Sequence, residues 1–148
     1  MEYREIMEAF SQYVKEEKPR VESPTDMARM MRPIFHGLRQ EEFHVILLNA
    51  NNRIVKDVMV TRGLADRSMV HAREVFREAI VANASRIVLA HNHPSGDLTP
   101  SPNDIHTTGG LVEAGKIIGI EVIDHVIMGS RTGQREKDYL SFREENLI

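Results

Sequence analysis

The run Arg86-Ile87-Val88-Leu89-Ala90 stops abruptly at His91-Asn92-His93-Pro94-Ser95-Gly96. A run this short, apolar and β-branched suits a buried strand better than a helix of useful length. His91 and His93 therefore stand where a strand ends. Side chains two apart in an extended chain point the same way, so both imidazoles can be presented to one point. Pro94 and Gly96 then turn the chain, and Pro100 and Pro102 keep it irregular until the next helix begins. Ser101 is expected to cap that helix, with Pro102 at its first position. Asp104 follows in the first turn, able to reach back toward the histidines. Two histidines and a carboxylate leave one tetrahedral position open, the arrangement of catalytic rather than structural zinc. Taken singly, Asp104 has a sufficient explanation in the helix dipole and Ser101 in capping. Together in one short window with two same-face histidines, they have no economical packing explanation.

The flanking sequence predicts alternating helices and strands. Tyr3, Ile6, Met7, Phe10, Tyr13 and Val14 recur at helical spacing, giving an amphipathic helix that ends near Lys18-Pro19. Its role is expected to be packing, on its own domain or on a second copy. Ser23-Pro24-Thr25-Asp26 starts a second helix, running to about Leu38. Phe43 to Leu48 and Ile54 to Val60 flank the turn-forming Asn49-Ala50-Asn51-Asn52 and read as a β-hairpin. A helix over His71 to Asn83 leads into the strand that ends at His91. The helix opened by Ser101-Pro102 continues to about Ile118, Val122 to Met128 supplies another strand, and a last short strand lies near Tyr139 to Phe142. The expected fold is an α/β (α+β) layered domain around a mixed sheet, with residues 1–22 as helix and linker and 23–148 as the domain. No glycine-rich phosphate loop is present.

Composition narrows the chemistry. The 148 residues contain no cysteine, which excludes disulfides and thiolate ligands, so a bound metal must use nitrogen and oxygen. That absence agrees with a reducing cytoplasm, and no apolar stretch approaches a membrane span, so a cytoplasmic location is expected. A net charge of -3 gives no general attraction to a phosphate backbone, and DNA binding gains no support from it.

His91-x-His93, seven residues, Ser101, two residues, Asp104 resembles the JAMM signature of MPN-domain metallopeptidases. The fuller text His91-Asn92-His93-Pro94-Ser95-Gly96-Asp97 with Thr99-Pro100-Ser101 is similar to the RadC branch in particular. Leu111, Ala114-Gly115, Gly119-Ile120, Asp124-His125 and Tyr139-x-Ser141-x-x-Glu144 match that branch, as do Gly63 and His71-x-Arg73-Glu74-Val75-Phe76 upstream. The resemblance runs from about Ser23 to the end. Ala72 stands where family members commonly have proline, and Gly63-Leu64 where they have Gly-Thr. Full-length RadC-like proteins carry a helix-hairpin-helix region at the amino terminus; this sequence has room there for only a short substitute. The resemblance implies an MPN/JAMM-like fold of the cytidine deaminase-like kind, with a mixed sheet flanked by helices. It also implies a zinc ion on His91, His93 and Asp104.

A zinc centre of this type needs a general base, and the local motif contains none. The family places a glutamate far upstream at the start of the first hairpin strand. RadC-like spacing selects Glu41, two residues before Phe43, while other JAMM sequences would select Glu42; alternation lets only one face the metal. Ser101 would donate a hydrogen bond to the developing oxyanion. Asn92 and Ser95 are left to shape the loop or orient the ligands. Asp124 and His125, adjacent on a strand, point to opposite faces; His125 is either a contact behind the metal or a buried, hydrogen-bonded core residue. His36, His44, His71 and His106 show no comparable pairing. Two functions of different class follow. One is a zinc-dependent peptidase or isopeptidase using Glu41, His91, His93, Ser101 and Asp104 on a peptide or protein substrate. The other is a non-catalytic module in DNA transactions or protein assembly, and a homo-oligomer is compatible with either.

Overall fold

The computed structural model describes residues 2–15, 18–63 and 70–148. Helix α1 spans Tyr3–Lys15 and α2 spans Pro24–Phe35; strands β1 (Glu42–Leu48) and β2 (Ile54–Arg62) follow. Then come α3 (Ala72–Val81), β3 (Arg86–Asn92), α4 (Pro102–Ile118), β4 (Glu121–Met128) and β5 (Tyr139–Ser141). The strands form one sheet in the order β2-β1-β3-β4-β5. Only β3 and β4 run parallel, joined by the α4 crossover, so the sheet is mixed.

Strand alternation divides the core in two. Phe43, Val45, Leu47, Ile87 and Leu89 point to one side and pack with Val75, Phe76 and Ala79 of α3 and Leu111 of α4. Ile46, Leu48, Val88, Ala90, Val126 and Met128 point to the other and pack with Met27, Ala28, Met31 and Phe35 of α2. The central strands are covered on both faces and therefore read as unbroken apolar runs. The odd-numbered positions of β1 and β3 thus belong to the α3/α4 side, and His91 at the end of β3 inherits that side.

Helix limits follow local chemistry. Ser23 Oγ accepts from the Asp26 amide and Pro24 occupies the first turn of α2. That helix ends at Phe35, short of the Leu38 expected from sequence, because His36 turns extended and Gly37 takes φ +72°. Gly119, at φ +87°, ends α4 in the left-handed conformation that glycine adopts without strain. On α1, Tyr3, Ile6 and Met7 are exposed. Among the described residues no helix is long and apolar enough to cross a membrane.

Candidate metal centre

β3 ends as its sequence implies, and His91 lies in register between Phe43 of β1 and Ile127 of β4. The His91 ring is fully buried and stacks on Phe43, 6.1 Å between centroids. One residue past the strand, His93 is half-buried, and its Nδ1 donates to the Asp97 carbonyl at 2.7 Å. A carbonyl only accepts, so in the neutral ring the proton of His93 sits on Nδ1 and Nε2 carries the lone pair. That Nε2 lies 3.0 Å from Nε2 of His91.

Asp104 closes the group from the first turn of α4. It forms a reciprocal capping box with Ser101: the Ser101 amide donates to Asp104 Oδ2 at 2.9 Å, and Ser101 Oγ accepts from the Asp104 amide at 3.0 Å. Held so, Asp104 Oδ2 lies 3.6 Å from Nε2 of both histidines. The three ligand atoms all fall within 4.8 Å of one another. Tetrahedral zinc with bonds of about 2.0–2.1 Å needs ligand atoms roughly 3.4 Å apart, so the donor set fits such an ion with small adjustments. Among the described residues no other three histidine or carboxylate side chains converge in this way.

The electrostatics express the same demand for positive charge. Burial works to raise the Asp104 pKa, yet the His91 and His93 rings and the Ser101 amide hold that carboxyl far below the usual range. Burial works to lower the His93 pKa, but Asp104, the Asp97 carbonyl and the charges of Asp104 and Glu41 raise it overall. Two imidazole lone pairs and a carboxylate facing one buried point are mutually repulsive until a cation, proton or metal, lies between them.

The two glutamates before Phe43 have different surroundings. Glu42 is buried on the α2 side, where its carboxylate accepts from Arg62 Nε at 3.0 Å and bonds His44 Nε2 at 2.8 Å. His44 Nδ1 bonds Asp57 at 2.7 Å, so sequence reading missed a Glu42–His44–Asp57 chain that runs from the buried Glu42 and His44 out to the exposed Asp57. Glu41 precedes the strand and its charge reaches His93. Its peptide is pinned on both sides: Asn92 Oδ1 accepts from the Glu42 amide at 2.7 Å, Asn92 Nδ2 donates to the Gln40 carbonyl at 3.1 Å, and the Gly63 amide donates to the Glu41 carbonyl at 2.7 Å. Asn92, between the two histidines in sequence, is thus the residue that ties the Glu41 segment to the ligand strand.

Asp124 and His125 do point apart. Asp124 accepts from the His125 amide, Ser141 Oγ and the Arg143 amide, and so fixes the turn after β5. Burial pushes its carboxyl up despite those bonds. The turn delivers Phe142 to stack on the His125 ring at 4.4 Å. His125 bonds His91 Nδ1 through Nε2 and Thr108 Oγ1 through Nδ1, each at 2.6 Å. It is therefore both buried in the core and in contact with a candidate ligand, His91. His36, His71 and His106 are exposed.

A cleft of about 430 Å3 opens beside His93, between the end of α2 and the loop after β4; Phe35, His36, Asn92, Met128 and Arg131 help to line it. At its wall, a β-carbon on Gly129 would come within 2.5 Å of the Gly96 carbonyl oxygen, so only glycine lets these two loops touch.

A sequence model of the RadC-like JAB domain matches residues 21–147. The chain belongs to that family. It is 43% identical over 129 residues, 87% of its length, to a UPF0758 protein of Staphylococcus haemolyticus, and 45% identical over 126 residues, 85% of its length, to one of Symbiobacterium thermophilum. A UPF0758 protein of Methanosarcina mazei is 35% identical over 144 residues, 97% of the chain. These matches cover 54%, 51% and 60% of the relatives, so the chain spans little more than half their length. The mixed five-stranded sheet with its flanking helices is consistent with a JAB/MPN-like domain.

Proposed function

We propose that this RadC-like domain is a zinc-dependent hydrolase of peptide or isopeptide bonds. The observation that carries the reading is the convergence of His91 Nε2, His93 Nε2 and an Asp104 oxygen within 4.8 Å of one another. His, His and carboxylate with a fourth position open is the donor set of catalytic zinc. When bound, zinc supplies a Lewis acid that acidifies water and polarises a carbonyl.

The remaining work falls to the chain's own groups. Glu41 takes the water proton on its carboxylate and returns it to the leaving amine. Three features support Glu41 over Glu42: Glu42 is engaged by Arg62 and His44 on the far face, Glu41's charge reaches His93, and Asn92 and Gly63 hold the Glu41 peptide in place. Ser101 Oγ accepts from the Asp104 amide, which leaves its O–H to donate to the carbonyl oxygen as that atom gains charge.

Cleavage of a peptide library by zinc-loaded wild type and Glu41→Gln tests this reading. A loss of about 100-fold or more in Glu41→Gln, with zinc still bound, is expected from removal of a general base. Equal cleavage by both proteins would overturn the assignment of the base. A zinc-loaded wild type inert toward every peptide and isopeptide bond tried would overturn the reaction.

A further inference from the structure

The two histidine ligands are braced from behind by different acceptors. His93 leans on a backbone carbonyl, that of Asp97. His91 leans on another side chain, Nε2 of His125, 2.6 Å from its Nδ1. A histidine that binds metal through Nε2 keeps its single proton on Nδ1. His91 must then donate to His125, whose Nε2 accepts. The His125 proton is thereby forced onto Nδ1, where it donates to Thr108 Oγ1 at 2.6 Å. Thr108 lies one helical turn after Asp104 on α4, and both are buried on the same stripe. The chain of bonds closes on itself: from α4 through Asp104 to the proposed metal, through His91 and His125, and back to α4 at Thr108.

We infer that His125 is the positioning residue of the metal centre, fixing the tautomer and plane of His91, and that Thr108 in turn fixes the tautomer of His125. The inference rests on reading His91, His93 and Asp104 as metal ligands. Packing fixes the plane of the His125 ring: Phe142 stacks on it at 4.4 Å, and Phe43 meets it edge-on at 5.6 Å. The acceptor is a neutral ring where a carboxylate would add a second negative charge behind a metal-bound histidine. Asp104 therefore stays the sole formal negative charge in the set, and zinc with two neutral imidazoles keeps a net positive charge to acidify water.

Zinc affinity, measured by competition with a chromophoric chelator, separates this role from mere core filling. His125→Phe fills the same slot between Phe43 and Phe142 but cannot accept, so it strands the buried His91 N–H; zinc binding is expected to weaken by about 10–100-fold. His125→Gln can accept from His91 and donate to Thr108, and is expected to stay within about threefold of wild type. Thr108→Val is expected to fall between them. Folded His125→Phe binding zinc as tightly as wild type would overturn the inference, as would folded His125→Gln binding as weakly as His125→Phe. Should His125→Phe fail to fold, wild type decides by nitrogen NMR: a protonated His91 Nδ1 coupled to an unprotonated His125 Nε2 supports the relay, and the reverse tautomer overturns it. Wild type that binds no zinc defeats the proposed function itself, a result distinct from any of these.

Discussion

His91 and His44 are buried on adjacent strands, on opposite faces of one sheet, and each has a carboxylate within 4 Å. Their rings are used in opposite ways. Both nitrogens of His44 meet carboxylate oxygens, Glu42 at Nε2 and Asp57 at Nδ1, so the ring carries two protons and a positive charge. His91 gives Nδ1 to a neutral imidazole and turns Nε2 toward a second histidine and Asp104. One cluster supplies its own cation, whereas the other is arranged to receive one. Burial of a histidine beside acids does not by itself mark a metal site; convergence of lone pairs from separate elements does.

Substitutions on the two sides should therefore separate stability from metal binding. His44→Leu leaves Glu42 buried with Arg62 as its remaining partner, and removing one member of a buried ionic group is expected to cost about 3 kcal/mol. Urea denaturation reads that loss, while zinc affinity should stay within about twofold of wild type. A stable His44→Leu protein, or one that no longer binds zinc, would break the distinction between the clusters.

The pH dependence sharpens it. Burial tends to lower the His44 pKa, but its bonds to Asp57 and Glu42 raise it above the ordinary 6.5. A raised folded-state pKa means that the stabilisation is fully present below about 6.5 and is lost as pH climbs through the folded value. The stability gap between wild type and His44→Leu should accordingly narrow from pH 6 toward alkaline pH. A gap that widens instead would refute the charged state assigned to His44.

Asn92→Ala is expected to have a smaller effect, about 1–3 kcal/mol, from leaving the Glu42 amide and the Gln40 carbonyl without their partner. Its diagnostic readout is a drop in peptide cleavage with zinc affinity retained, since the loosened segment is the one carrying Glu41. Ser101→Ala, which removes one half of a helix cap, is expected to cost only about 1 kcal/mol in thermal or urea unfolding. A larger cost would mean that Ser101 holds Asp104 more firmly than capping alone explains.

The metal end was legible in sequence because its geometry is local. Two positions on one strand, a proline-bounded turn and a capped helix start place His91, His93 and Asp104 by short-range rules. The elements around it were legible for the same reason, from the hairpin to the capped start of α4. What the sequence hid depends on register between distant elements. Asp57 faces Ile46 and reaches His44 diagonally, across a hairpin whose register shifts between Leu47 and Leu48, so counting from the turn does not pair them. Thr108 meets His125 only once α4 has packed on β4, and Asn92 meets Gln40 and Glu42 only once β1 lies beside β3. The pattern Glu42-x-His44, two residues on one face of a strand, was the available hint of the second cluster. The end of α2 differed because the helical spacing continues past Phe35, while Gly37 at positive φ stops the backbone.

The most direct test is metal content. Wild type, His91→Ala, Asp104→Ala and His44→Leu would each be supplied with zinc, desalted and assayed by elemental analysis against protein concentration. One zinc per wild-type and His44→Leu chain, with none retained by His91→Ala or Asp104→Ala, is the expected result. Wild type without stoichiometric zinc, or zinc retained equally by the His91 and Asp104 variants, would contradict a metal centre at the end of β3.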